Sequence, residues 1–591
     1  MNKLYNKWFL GVWMLIAATM GIQSCSDDHF DIDPEVTGRQ TLWETINSNP
    51  ELSEFANILS RVQYSKSEGN TTKQNYADLF NHAQTFTVWA PKNGTFDYAK
   101  WNDLLNDGTV ASAYLVENEL IRNSMTRYTH IMSGGDSTQI ALFNGKSAIF
   151  NAAAGTIKGT PITKANIGTS NGVLHIIDGQ VAYLPNIYEY LKKGQEIDSL
   201  YNFIHSFEEL IFNENLSTQG PTIDGNITWV DSITNISNKY LNNGLYARLT
   251  SEDSLYVMVM PNNRAWSDAY NKVKGYYNYM PEYVQTVISI GANGEESEES
   301  KTTSFSQAEL DSITLYRIHN TIARDLVFNT SEQFGHPYTD YNKEGACDSL
   351  MSTYGTVFDD PYSAQLFDNK QPIRLSNGYA YVVDNYNYRL EDILLDERIY
   401  EAERTYETYT YCTPAYRSIN KRLYYVTDST TMEEADTLIQ ETVIAAVPER
   451  ATANPSITFR LSNTLACKYD IYAVMAYNEE AQRPYQFRAY VNYHNNRRTT
   501  TRQQLMPIDG VNGSGRNFVS KTPYVDEQGL LQFNDSVLLA TDFELPVCYV
   551  GLDNAYITLE ITSYMTSSER SKYTNELLID KIVLVPKVRE D

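Results

Sequence analysis

Phe86-Thr87-Val88-Trp89-Ala90-Pro91-Lys92-Asn93-Gly94-Thr95-Phe96 is the stretch on which the fold turns. Phe86 to Ala90 alternates as a strand does, and Pro91-Lys92-Asn93 ends it in a turn. Phe96, Trp101, Leu104 and Leu105 then follow at helical spacing. Upstream, Leu42, Ile46, Leu52, Phe55, Ile58, Leu59 and Val62 recur at helical spacings of three, four and six around a break expected at Pro50, with Ile58 and Leu59 adjacent. Downstream, Gly172 to Val181 reads as a second strand. Helices and strands mixed in this way predict an α+β unit.

The order then repeats. Tyr256-Val257-Met258-Val259-Met260-Pro261-Asn262-Asn263, with Trp266, gives strand, proline, asparagine turn and core aromatic again. Leu375-Ser376-Asn377-Gly378-Tyr379-Ala380-Tyr381-Val382-Val383-Asp384 parallels Asn171-Gly172-Val173-Leu174-His175-Ile176-Ile177-Asp178. Two copies imply two units. Leu200, Phe203, Ile204, Phe207 and Ile211 are spaced as the opening helix of the second, and the polar stretch Gly291 to Ser304, with Glu295-Glu296-Ser297-Glu298-Glu299, reads as a solvated loop.

These motifs resemble the signatures of the fasciclin domain. The strand ending in Ala90-Pro91 with Asn93 and Phe96 is similar to the first signature, and Asn171-Gly172 leading to Asp178 and Pro185 is similar to the second. Tyr128-Thr129-His130 stands where the family has its Tyr-His element. The second copy departs from the pattern at Met260 and Trp266. The resemblance implies a fasciclin-like domain over 39–194, a second over 195–397, and adhesion or scaffolding as their role. It also implies that His130 is structural, and His175, inside a strand, reads as structural too.

Beyond residue 398 the period becomes two. Phe487, Ala489, Val491 and Tyr493 alternate with Arg488, Tyr490 and Asn492, and Ile557, Leu559 and Ile561 alternate with Thr558, Glu560 and Thr562. Ile457–Leu461, Tyr469–Tyr477 and Leu577–Val585 are further strands, separated by turns such as Asp509-Gly510-Val511-Asn512-Gly513. The expectation for 398–591 is an all-β sandwich of jelly-roll type. Its last strand, Leu578 to Pro586, resembles that of jelly-roll modules that bind carbohydrate. On the outward face, Arg488, Tyr490 and Asn492 form the predicted ligand platform, while Arg497, Arg498 and Arg502 follow in a polar loop that either contacts an anionic ligand or, the preferred reading, only solvates a turn.

The N-terminus carries Lys3 and Lys7, then the mostly apolar run Trp8 to Ile22, too short for a confident membrane span. Residues 1–24 read as a signal peptide. Ile22-Gln23-Ser24-Cys25 resembles a lipobox, which implies lipidation (palmitate) at Cys25, and 25–38 reads as a lipidated tether. Ser26-Asp27-Asp28 resembles a surface-export signal, so the expected location is the outer membrane, lipid-anchored and facing the exterior.

A net charge of −26 repels phosphate backbones, so no nucleic acid partner is expected. Cys347, Cys412, Cys467 and Cys548 form no C-x-x-C pair, and Asp28, Asp31 and Asp33 lack the glycine and glutamate of a calcium loop, so no metal is expected. The common hydrolase, zinc-protease and nucleotide motifs are missing, so neither catalysis nor a cofactor is expected, although two carboxylates alone suffice for a glycosidase. The 45 tyrosines suit sugars and protein interfaces alike; the clusters Tyr276, Tyr277, Tyr279 and Tyr406, Tyr409, Tyr411 read as core and edge filling. Two functions follow. One is a surface lipoprotein that captures glycan or another nutrient for an outer-membrane uptake (transporter) complex; the other is an adhesion or assembly protein that binds another protein through its fasciclin-like domains.

Overall fold

The computed structural model describes residues 38–132, 137–194, 196–223, 226–229, 233–290, 296–331, 337–404, 409–413, 415–426, 437–478, 481, 483–495, 499–521, 524–525, 531–532 and 534–589. The stretch expected to be a signal peptide, the expected lipidation site Cys25, the expected tether up to residue 37, and Arg497 and Arg498 lie outside the described residues.

The strand Phe86–Pro91 pairs in parallel with Gly172–Ile177, Phe86 facing Gly172 and Pro91 facing Ile177. Both strands are buried along their whole length. That is the condition under which a parallel pair is found, since both faces must be covered. Phe86, Val88 and Ala90 meet the helical core built on Leu42, Phe55, Ile58 and Leu59. Trp89 points the other way, into a smaller core with Ile140, Phe150 and Ile177. Met125–Thr126 flanks the pair on one side and Thr160–Thr169 on the other, within a seven-stranded sheet. Pro50 breaks the opening helix as expected, giving Leu42–Asn47 and Ser53–Arg61 with a 3-10 turn between them.

The middle of the chain repeats this geometry contact by contact. Tyr256–Pro261 pairs in parallel with Gly378–Val383 in the same register, flanked by Val327–Asn329 and Ile373–Leu375. Buried Asn171 accepts from Leu42 N at 2.8 Å and donates to Phe80 and His82 carbonyls; buried Asn377 accepts from Ile187 N at 2.9 Å and donates to Leu249 and Ser251 carbonyls. Asn93 and Asn263 likewise accept from Glu54 N and Ser199 N at the head of a helix. The next residue after each buried asparagine is glycine with positive φ, +152° at Gly172 and +139° at Gly378. A Cβ there would lie 2.0 Å from the Phe86 carbonyl oxygen or 1.8 Å from that of Tyr256, so only glycine permits the parallel strands to close.

Three expectations are corrected in this region. The helix over Leu200–Ile211 stops at His205, and Glu208–Phe212 is a strand paired with Thr234–Asn238. Phe207 packs beside Tyr240 and Tyr316, a tertiary contact that local spacing does not reveal. The polar stretch to Ser304 is no loop from Glu296 onward, because Glu296–Ser304 pairs with Glu282–Ile290 along its length. Finally, Ile187–Lys193, which the reading of 39–194 leaves with the first unit, packs into the second, where Ile187, Tyr188 and Leu191 join its core.

The C-terminal part is two antiparallel sheets that share one core, with Ile471, Ala473 and Ile582 from one and Phe459, Val491 and Leu559 from the other. From Ser456 the chain crosses from one sheet to the other and back, lays the consecutive strands Gln486–His494, Thr500–Gln504, Gly513–Ser514 and Asn517–Val519 in one of them, and crosses again at Asn534–Glu544, Ile557–Ser563 and Leu577–Pro586. This core is continuous with that of the middle unit. Tyr276, Tyr279 and Tyr283 form the seam: Arg589 N donates to Tyr276 Oη at 2.9 Å, and Tyr279 and Tyr283 donate to the Val550 and Cys548 carbonyls at 2.8 and 2.6 Å.

His175 is fully buried, its Nε2 bonded to the His130 carbonyl at 2.9 Å and its ring stacked on Trp89 at 5.8 Å. Burial pushes its pKa down to about 4. The unfolded chain binds that proton nearer pH 6.5, so His175 contributes stability above about pH 6.5 that is lost as pH falls toward 4. The expected loss is about 3 kcal/mol across that window, read from urea denaturation at each pH, and it should disappear in a His175→Gln chain that still folds.

Candidate ligand-binding site

Arg488, Tyr490 and Asn492 lie together on the outward face of the strand Gln486–His494, each half-buried. Each is already engaged. The Arg488 guanidinium lies 3.4 Å from the Tyr564 ring centroid and donates to Asn517 at 2.8 Å. Arg502 covers the Tyr490 ring at 3.8 Å and is held by Glu560 at 2.9 Å. Asn492 donates to Thr558 at 3.0 Å. A sugar ring could stack on Tyr490 only after displacing Arg502.

A concave site lies at the far end of the same strand. Alternation places Tyr493 on the inward side with Phe487 and Val491, but here the edges of the two sheets part and leave a cleft of about 730 Å³. Volumes of this order hold small-molecule ligands. Tyr493 stands edge-on to Phe543 of the facing sheet at 5.4 Å and donates to Gln503 Oε1 at 3.0 Å. Leu505 and Leu539, both buried, line the cleft, and Met506 and Ile508 are exposed at its lip. The lip is fixed by Asn512, which accepts from Ile508 N and donates to the Leu538 carbonyl.

The facing wall is the edge strand Asn534–Glu544, which bulges at Thr541 and Asp542. Asp542 has φ +53°, a left-handed conformation uncommon outside glycine. Asp470 holds the bulge, accepting from Asp542 N at 3.0 Å and from Thr541 Oγ1 at 2.9 Å, and Lys587 bridges Asp470 and Asp542 at 2.7 and 3.0 Å. Those hydrogen bonds raise the Lys587 pKa and keep it charged. Bulges of this type re-aim side chains at binding sites. Burial, and then the Glu544 carboxylate, raise the Tyr493 pKa, so its hydroxyl is a neutral donor.

Two aromatic rings, the amides of Asn495, Gln503 and Gln504 and the carboxylates of Asp542 and Glu544 thus line one cleft. Polar groups make up more of the lining than apolar ones, and aromatic rings set among amides and carboxylates suit a ring with a C–H face and equatorial hydroxyls. The sequence placed Tyr493 correctly inside, and only the divergence of the sheets turns it from core residue to cleft wall. Phe543 and Asp542 carry no sequence signal, because the bulge that presents them depends on Asp470 and Lys587 across the sheet.

Among the described residues no cluster of His, Cys, Asp and Glu is arranged to hold a metal, and no helix is long and apolar enough to cross a membrane. Cys467 and Cys548 are buried free thiols, and Cys347 is a half-buried one. Tyr406 lies outside the described residues, as do the side chains of Tyr409 and Tyr411.

Residues 51–181 match the Fasciclin domain family. No curated protein matches the chain. Among solved structures, an exo-β-1,3-galactanase from Phanerochaete chrysosporium, determined with galactose, is similar at 9% identity and a TM-score of 0.13 over 44% of this chain. The chain spans only 36% of that enzyme. A structure of carbohydrate-binding modules from the β-sandwich superfamily is similar at 8% identity and a TM-score of 0.13, over 51% of this chain and 84% of its own. Similarities at that level say nothing about ligand or activity.

Proposed function

We propose that this chain is a non-catalytic, surface-exposed outer-membrane lipoprotein, anchored through Cys25, that captures glycan for an uptake complex. In this reading the expected division at 194/195 moves to 185/186, so that 39–185 and 186–397 are two fasciclin-like domains, and 398–591 is a jelly-roll sandwich. The observation that carries it is the cleft walled by Tyr493 and Phe543, with Gln503, Asp542 and Glu544 converging on it. The contact-by-contact repeat around Asn171 and Asn377 supports the second fasciclin-like domain, and the packing of two antiparallel sheets face to face, with the chain crossing between them, supports the jelly roll.

In a binding screen of the intact chain against neutral oligosaccharides, Tyr493→Ala is expected to weaken the best ligand by about tenfold or more. Tyr490→Ala, whose ring Arg502 already covers, is expected to weaken it far less. Equal affinity in wild type and Tyr493→Ala would overturn the assignment of the cleft.

A second reading, adhesion or assembly through the fasciclin-like domains, is favoured by the exposed apolar ribbon carrying Leu210, Ile211, Phe212 and Ile236. Its mark would be stable co-purification of the intact chain with a membrane protein, abolished by Leu210→Lys and Phe212→Lys together.

A further inference from the structure

The helices Asp198–His205, Asn263–Val273 and Gln307–Ala323 enclose a second cleft, of about 670 Å³, in the middle unit. Phe203, Trp266, Tyr270 and His319 meet there, with His319 5.3, 5.2 and 5.8 Å from the Phe203, Trp266 and Tyr270 rings. A fifth of the chain's residues are charged, yet none of the thirteen that line this cleft is Asp, Glu, Lys or Arg. Burial lowers the His319 pKa and favours its neutral form.

The polar groups present are side-chain amides and hydroxyls. Asn202, Ser267 and Ser312 stand exposed on the three helices around the aromatic rings, one on each. Apolar rings bordered by uncharged donors and acceptors match an uncharged ring with hydroxyls on its edge. A carboxylate, sulfate or phosphate finds no cation here and meets the field of a chain with net charge −26. An ammonium group finds no counter-charge in the lining. An aliphatic side chain of a partner would cover His319 without answering its ring nitrogens, and a buried polar group left unanswered is costly.

We propose that this inter-helix cleft is a second ligand site, for a neutral saccharide residue, separate from the cleft at the edge of the two sheets. It does not depend on the reading of that other cleft. The chain then offers two contact points to one oligosaccharide or to two, which raises avidity when both are engaged.

The test is calorimetric titration of the intact chain carrying Tyr493→Ala, which disables the other cleft, with neutral gluco-, galacto-, manno- and xylo-oligosaccharides. Sulfated oligosaccharide and tetramethylammonium serve as charged probes. At least one neutral sugar is expected to bind with a Kd of about 1 mM or tighter, insensitive to salt. Adding Ser312→Arg or Asn202→Arg, at exposed positions outside the core, should weaken it about tenfold or more with the melting curve unchanged. Having both arginine variants keeps the result readable should one disturb folding. Absence of binding in the Tyr493→Ala chain, binding indifferent to both arginines, or preference for either charged probe would each overturn the proposal, and none of these touches the assignment of the first cleft.

Discussion

Replacing Lys146 by methionine is expected to lower the stability of the chain by about 3–5 kcal/mol, the usual effect of removing one partner from a buried ionic cluster. Lys146 is 1% exposed, in the turn before the strand Ser147–Asn151. Its ammonium reaches across to the second repeat, bonding Glu189 at 2.8 Å, Glu252 at 2.9 Å and Ser376 at 3.2 Å. Glu189 also closes the capping box of Ile187–Lys193, and Ser376 precedes the buried Asn377. One cation therefore joins the sheet of the first repeat to the helix and strand entry of the second. Methionine fills similar space and leaves two carboxylates facing each other. Urea denaturation should show the loss as an earlier first transition. Glu189→Gln and Glu252→Gln added to Lys146→Met should recover a large part of it, because the stranded charges are then gone. A single variant as stable as wild type would mean that the repeats are not coupled through this residue.

Glu117→Ala is expected to cost a similar amount, about 3–5 kcal/mol, confined to the first repeat. The Glu117 carboxylate is 1% exposed and accepts from Ser65 N and Tyr76 Oη, each at 2.8 Å, and from Arg122 Nε at 3.0 Å, with the guanidinium paired to it at 2.8 Å. Arg122 in turn donates to the Ser65 carbonyl, so the carboxylate ties the hairpin Gln63–Asn75 to the helical segment that follows Val110–Val116. Alanine strands a guanidinium, a hydroxyl and a backbone N–H together. Glu117→Gln keeps the shape without the charge and should lose less. Denaturation followed by tryptophan fluorescence distinguishes the pair; a Glu117→Gln chain as stable as wild type would show that the charge itself contributes nothing, and equal losses in both would show that it carries the whole effect.

Much of the fold was readable because the decisive residues work locally. The strand that opens at Phe86, the break at Pro50 and the Asn-Gly pairs at 171–172 and 377–378 hold in the structure, the last because a buried asparagine and a glycine with positive φ are both required there. Phe207 to Ile211 misled because apolar spacing near a helix end does not reveal a strand partner more than 20 residues downstream. The alternation from Phe487 to Tyr493 gave the faces of that strand correctly but not where the facing sheet diverges. The predicted platform of Arg488, Tyr490 and Asn492 is one polar face, yet its one ring, Tyr490, is already covered by Arg502, and Arg488 itself lies over the Tyr564 ring. Arginine–aromatic pairing depends on cross-strand neighbours at Tyr564 and Arg502, which one strand's sequence does not contain.

Hydrogen–deuterium exchange of the intact chain, with and without the best-binding neutral oligosaccharide from the screen, tests the central claim most directly. Capture in the cleft between the sheets predicts slowed exchange in peptides covering Tyr493–Ile508 and Leu538–Pro546, reduced in Tyr493→Ala. Protection that leaves both segments unchanged, in a chain that demonstrably binds the sugar, would contradict it.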